Sequence, residues 1–130
     1  MELTLFVVAD YANITNDNKI NIIGIFNRIL AEEFPAAHRS LYLVAQLAAS
    51  SAEANLSFTL EVQMVGKDDQ KIFSLSNTTV VPESTDGSPI ALNVIIQIVD
   101  ILIPESGTYP ILLLVNEQII GSLNIVAVRI

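Results

Sequence analysis

Few residues in this chain have the types and spacing to do chemistry. Asp10, Tyr11 and Asn13 stand just ahead of a second polar cluster, Asn16, Asp17 and Asn18. Oxygen donors of this kind suit a hard cation or a sugar hydroxyl. His38 is the single histidine, with Glu32 and Glu33 a few residues upstream. Paired carboxylates occur at Glu32 with Glu33 and at Asp68 with Asp69.

Each candidate has a structural reading beside the chemical one. A calcium loop alternates Asp or Asn, then needs a Gly and a closing Glu. "NITNDNK" (Asn13 to Lys19) has neither, whereas Asn and Asp tolerate left-handed backbone and make turns. Asn16 to Asn18 therefore read as a turn. His38 has no Gly-x-Ser-x-Gly elbow to serve, and its expected role is to hydrogen-bond its loop or cap a strand. A Ser–His–Asp set scattered along the chain stays open as the last-ranked reading. The carboxylate pairs lie in polar stretches without apolar flanks, where a carboxyl keeps no raised pKa for acid catalysis. Five glycines are scattered singly, so no phosphate-cradling loop exists. No catalytic residue, metal or cofactor is expected. The set with the best claim to a ligand is Asp10, Tyr11, Asn13 and His38 at one end of the fold. Tyr11 and Tyr42 are the candidate platforms for a sugar, in a chain without Trp.

The elements that must position these residues follow from a period of two. In "SFTLEVQMV", Phe58, Leu60, Val62 and Met64 alternate with Ser57, Thr59, Glu61 and Gln63, the pattern of a half-buried strand. Eight strands are expected, at about 2–9, 19–29, 41–48, 55–65, 71–80, 90–103, 109–115 and 119–130. "EEFPAAHR" (Glu32 to Arg39) reads as a loop, since Pro35 pushes Phe34 towards extended backbone. "PESTDGSP" (Pro82 to Pro89) is the plainest loop. Ala48 to Ala54 could form a helical turn or two. Gly24 and Gly121 interrupt strands, which marks a bulge or a close backbone approach. Tyr109, in "PESGTY", has the placing of a tyrosine corner.

The chain has 130 residues, 52% hydrophobic and 15% charged, which fits one domain over residues 1–130. The absence of Cys removes disulfides and thiolate chemistry and fits a reducing cytoplasm. No run of about 18 apolar residues exists to span a membrane, and "MELTLFVVAD" has no basic start for a signal peptide. Six Lys and Arg against fourteen Asp and Glu give a net charge of -8, so nucleic acid and anionic lipid are not expected partners. "NVIIQIV" and "ILLLV" are apolar on both faces, more than one core can bury. An outward apolar face needs a cover, from the chain's own loop or from a second subunit. Both covers stay open.

Several stretches together resemble a known family. "ADYAN", "KINIIGIFNRI", "FPAAHRSLYLVAQL" and "GTYPILLLVNEQIIGSLNI" are similar to a family of small bacterial proteins defined as a domain of unknown function. The resemblance covers nearly the whole chain. It implies an all-β sandwich and a cytoplasmic protein, and carries over no site residue. The last hairpin also resembles the closing hairpin of immunoglobulin-like and C2-like sandwiches, with Asn116 and Glu117 where many have Asn-Gly. The expected fold is an antiparallel β-sandwich of about eight strands, Greek-key, immunoglobulin-like or C2-like. The leading expected function is non-enzymatic association, as a homo-oligomer or with a protein partner. A carbohydrate- or lipid-binding module comes second, and a hydrolase last.

Overall fold

The computed structural model describes residues 1–130. It contains β1 (Glu2–Ile14), β2 (Ile20–Ile25), β3 (Arg28–Ala31), β4 (Ala36–Ala49), β5 (Ser57–Val65), β6 (Lys71–Val80), β7 (Ile90–Ile103), β8 (Gly107–Val115) and β9 (Gln118–Arg129). A four-stranded sheet has the order β2-β1-β4-β7, and a five-stranded sheet the order β3-β9-β8-β5-β6. All neighbours are antiparallel except β3 with β9.

The core lies between the sheets and follows the alternation in the sequence. Leu41, Leu43, Ala45 and Leu47 of β4 face Val62 and Met64 of β5, and Ile111 and Leu113 of β8, within one buried cluster. Each of these side chains larger than Ala45 contributes roughly 1.5–3 kcal/mol by leaving water. At one flank the sheets come closest where Gly121 meets Leu3. A Cβ on Gly121 would stand 2.2 Å from Leu3 Cδ2, so this glycine is a close approach, as one of its two readings held.

Two expectations need correction. The single strand expected over 19–29 is two strands in different sheets. β2 ends at Ile25, and β3 crosses to pair parallel with β9, with Val126 N donating to Asn27 O at 2.8 Å. An unbroken apolar run cannot say that the chain changes sheet within it. The loop expected over Glu32 to Arg39 ends early, because β4 begins at Ala36 and pairs His38 with Ile101. The structure thus has nine strands where eight were expected. The helical turn allowed near Ala48 to Ala54 is a short 3-10 turn at Ser51–Glu53.

The closing elements behave as their sequences suggest. The buried Tyr109 donates its hydroxyl proton to Glu105 O at 2.6 Å and accepts from Glu105 N at 3.3 Å, the bonding of a tyrosine corner. Tyr109→Phe is expected to cost about 1 kcal/mol, since it strips both partners at once. Urea titration against the parent chain measures it. Asn116 and Glu117 both take positive φ, 49° and 69°, which makes a type I′ turn between β8 and β9. Asn116 is held there by Thr59, whose N donates to Asn116 Oδ1 at 2.9 Å. Glu117 has no such tie, and left-handed backbone costs a non-glycine about 1–2 kcal/mol. Glu117→Gly is expected to raise stability by about 0.5–1 kcal/mol, the remainder being offset by glycine's freedom in the unfolded chain. A rise in urea midpoint at unchanged slope is the readout.

Candidate functional site

The polar cluster that opens the chain shapes a hairpin. Asn18 takes a left-handed φ of 63°, and Asn18 N donates to Thr15 O at 3.0 Å. Asn16 to Asn18 are therefore the turn between β1 and β2, as expected. The Thr15 hydroxyl donates to the Asp17 carboxylate, and Lys19 Nζ lies 3.1 Å from it. The hydroxyl first, and then Lys19, hold the Asp17 carboxyl below its ordinary pKa. A depressed carboxyl supports the fold above the unfolded pKa near 4 and loses that support as pH falls through the lower folded value. An NMR titration of Asp17 is expected to show a midpoint below that of a free Asp. Thr15→Val should bring it back up.

The hairpin does not continue the plane of its sheet. β1 pairs with β4 only from Glu2 to Ala9, and beyond that point only with β2. The break falls where Asp10 lies opposite Gly24, between the pairs Ala9 with Ile25 and Tyr11 with Ile23. Gly24 has φ +72°, and a Cβ there would stand 2.6 Å from Asp10 Oδ2. Past this bend the hairpin turns over the outer face of its own sheet. Its tip reaches β7, where Asn93 Nδ2 donates to Asn18 O at 3.2 Å and to Asn18 Oδ1 at 3.1 Å. β1 also approaches β7 although β4 lies between them in the sheet. On β4, Val44 points away from the core and is nonetheless completely buried. Ala12, Ile20 and Ile22 form the hairpin's less exposed side. The hairpin thus covers part of the outward face of the four-stranded sheet, while Val99 on that face stays 57% exposed, and the outward Leu112 and Leu114 of β8 belong to the other sheet.

The hairpin's upper side faces solvent. Ile23 and Ile25 are 62% exposed and Tyr11 is 42% exposed. Asn21 Nδ2 donates to Asn13 Oδ1 at 3.0 Å, and Tyr11 packs its ring edge against Tyr42 with centroids 5.2 Å apart. None of these six residues carries a charge, in a chain of net charge -8.

The four residues grouped as a ligand set are not gathered around one cavity. Tyr11 and Asn13 share the top of the hairpin, with Asn13 Nδ2 3.5 Å from Tyr11 Oη. Asp10 is exposed at the bend, and His38 lies on β4 beside Phe26, ring centroids 5.8 Å apart. His38 Nε2 is buried without a partner, so it neither caps the strand nor bonds its loop through that nitrogen. None of the four residues lines any of the molecule's four hollows. No group of three or more His, Cys, Asp and Glu side chains converges as metal ligands would. Glu32, Glu33, Asp68 and Asp69 are all exposed. The largest hollow, about 400 Å³, is a groove between β6 and β7, with Leu60, Val62, Leu75, Asn77, Val94 and Ile96 among its walls. Sequence reasoning missed it, because it depends on which strands end their sheets on the same side.

Two packed sheets, a hairpin folded over one of them and an uncharged exposed patch place the chain among all-β domains. The chain belongs to a family of unknown function, DUF6941, whose model matches residues 4–128. In solved structures it is similar to a part of the Pseudomonas fluorescens alkylpurine DNA glycosylase AlkC, a structure bound to DNA containing an abasic site analog. That likeness has a TM-score of 0.55 at 12% identity, over 99% of this chain and 30% of AlkC, and it concerns the fold alone. The chain thus spans under a third of that protein. No curated protein matches the chain. No helix is long and apolar enough to cross a membrane.

Proposed function

We propose that this chain is a non-enzymatic association module, and that the solvent side of the β1–β2 hairpin is where it meets a protein partner. One observation carries the reading: Tyr11, Ile23 and Ile25 expose apolar surface around a neutral Asn13–Asn21 pair. An apolar centre with aromatic and amide groups, cleared of charge, is the composition of a protein interface core. Ala12, Ile20 and Ile22 form the hairpin's less exposed side, so the more exposed side is the one free to serve a partner. A nucleic-acid partner fits poorly, since eight excess negative charges repel phosphates. A carbohydrate or lipid-like ligand has less support, because Asp10, Tyr11, Asn13 and His38 share no cavity. The reading extends to the fold: the tyrosine corner at Tyr109 supports a Greek-key sandwich of immunoglobulin-like or C2-like type.

Affinity capture from the native cell tests the proposal, run in parallel with the parent chain and with an Ile23→Lys/Ile25→Lys variant. A protein retained by the parent and lost by the variant is the expected result. Identical captured sets would overturn it.

A further inference from the structure

The free edge of β7 has a property independent of the hairpin surface. β7 ends its sheet, with β4 on one side and no strand on the other. From Ile90 to Val99 it holds no charged residue and no proline, the features that protect exposed edges. The first charge is Asp100, which takes φ 54° inside the strand. The residues are also close to symmetric about Ile95. Asn93 and Gln97 lie two places either side, Val94 and Ile96 one place, and Leu92 and Ile98 three places. Asn93, Ile95 and Gln97 share the outer face, while Leu92, Val94, Ile96 and Ile98 share the inner one.

From this we infer that a second copy of the chain pairs with β7 across a two-fold axis at Ile95. Antiparallel pairing in that register sets Ile95 against the partner's Ile95, Asn93 against the partner's Gln97, and Val94 against the partner's Ile96. Every cross-strand pair then sets neutral polar beside neutral polar and aliphatic beside aliphatic, with the Asn93 amide keeping its bonds to Asn18 and Gln46 inside its own chain. The neutral edge keeps two chains of net charge -8 from meeting through their acidic surfaces. The groove opens on this same side, and Leu75, 43% exposed, stands among its walls. The partner's strand supplies the neighbour that the four-stranded sheet lacks there. Nine paired residues span roughly 30 Å, and a strip about 10 Å wide buries roughly 300 Å² per copy. The total of about 600 Å² belongs to weak, reversible contacts. The inference rests on the association reading but uses a different surface, so each fails separately.

The chain has no cysteine, so single thiols report the register cleanly. Under mild oxidation, Ile95→Cys is expected to form a covalent dimer of twice 14.1 kDa. Ala91→Cys should not, because its two copies would stand about 27 Å apart in this register. Light scattering across the micromolar range should show reversible dimers of the parent chain. Asn93→Glu/Gln97→Glu should dissociate them by facing acid with acid. Asn93→Lys/Gln97→Glu loses the same intramolecular hydrogen bonds but should dimerise as well as or better than the parent. A parent that stays monomeric overturns the inference, including a monomer whose groove instead takes an extended peptide of another protein. Equal dimerisation of the two charge variants, or cross-linking at residue 91 in place of 95, also overturns it. Ile23→Lys/Ile25→Lys should leave the dimer intact, which keeps this result apart from the partner-capture experiment.

Discussion

Val44→Asp is expected to release the β1–β2 hairpin from the sheet beneath it and to lower stability by about 3 kcal/mol at neutral pH. The position points away from the core, yet it is completely buried, on the face that the β1–β2 hairpin turns over. A carboxylate buried at this apolar position without an ionic partner costs several kcal/mol. The introduced acid has two ways out. It can bind a proton, or it can lift the hairpin and reach water. The first raises its folded pKa above the unfolded value near 4, so the penalty is absent at low pH and appears as pH rises through the folded pKa. The second accelerates amide hydrogen exchange across residues 10–25 while the core strands stay protected. Val44→Ala is the control, losing about 2 kcal/mol in transfer and cavity terms at every pH. If Val44→Asp melts the chain without raising exchange in the hairpin, the hairpin is not the cover.

Gly24→Ala is expected to cost about 2–3 kcal/mol, a large effect for one exposed methyl group. Two terms add. The left-handed φ of +72° costs any residue with a Cβ about 1–2 kcal/mol. The new Cβ would also stand 2.6 Å from Asp10 Oδ2, too close to keep, and 3.1 Å from Asp10 Cβ, a tight contact. The oxygen can swing aside, whereas the Asp10 Cβ moves only with its backbone. Asp10→Gly in the Gly24→Ala background should therefore recover about 1 kcal/mol, and the backbone term should remain. A double-mutant cycle by urea unfolding separates the two. A coupling of zero would mean that the conformation of Gly24, and not its approach to Asp10, sets the bend.

The same pair of residues marks the boundary between local and tertiary information. Gly24 was legible as a bulge or a close approach, and Asp10 as an acid that no turn explained. Nothing in the order of residues says that they stand opposite each other. Fourteen positions separate them, and the pairing depends on where the turn at Asn16 to Asn18 closes. The tyrosine corner was readable because its partners, Tyr109 and Glu105, are four residues apart and its bond is local. His38 was harder. Its neighbours Phe26 and Ile101 come from distant segments, so its side-chain partners were out of reach.

By itself the sequence determined that this chain forms strands, which residues alternate into the core, where most turns fall, and that its net charge is -8. These follow from local propensity, a period of two and total charge, none of which requires knowing what lies across space. The tertiary structure decided the rest. It divided one apolar run between two sheets at Ile25 and Arg28, and folded the first hairpin over the outer face of its own sheet, as far as Asn93. It also left β6 and β7 as free edges on one side. The physical reason is that alternation specifies which side chains share a face but not what covers it. A cover depends on backbone bends and strand order, which arise only when distant segments pair.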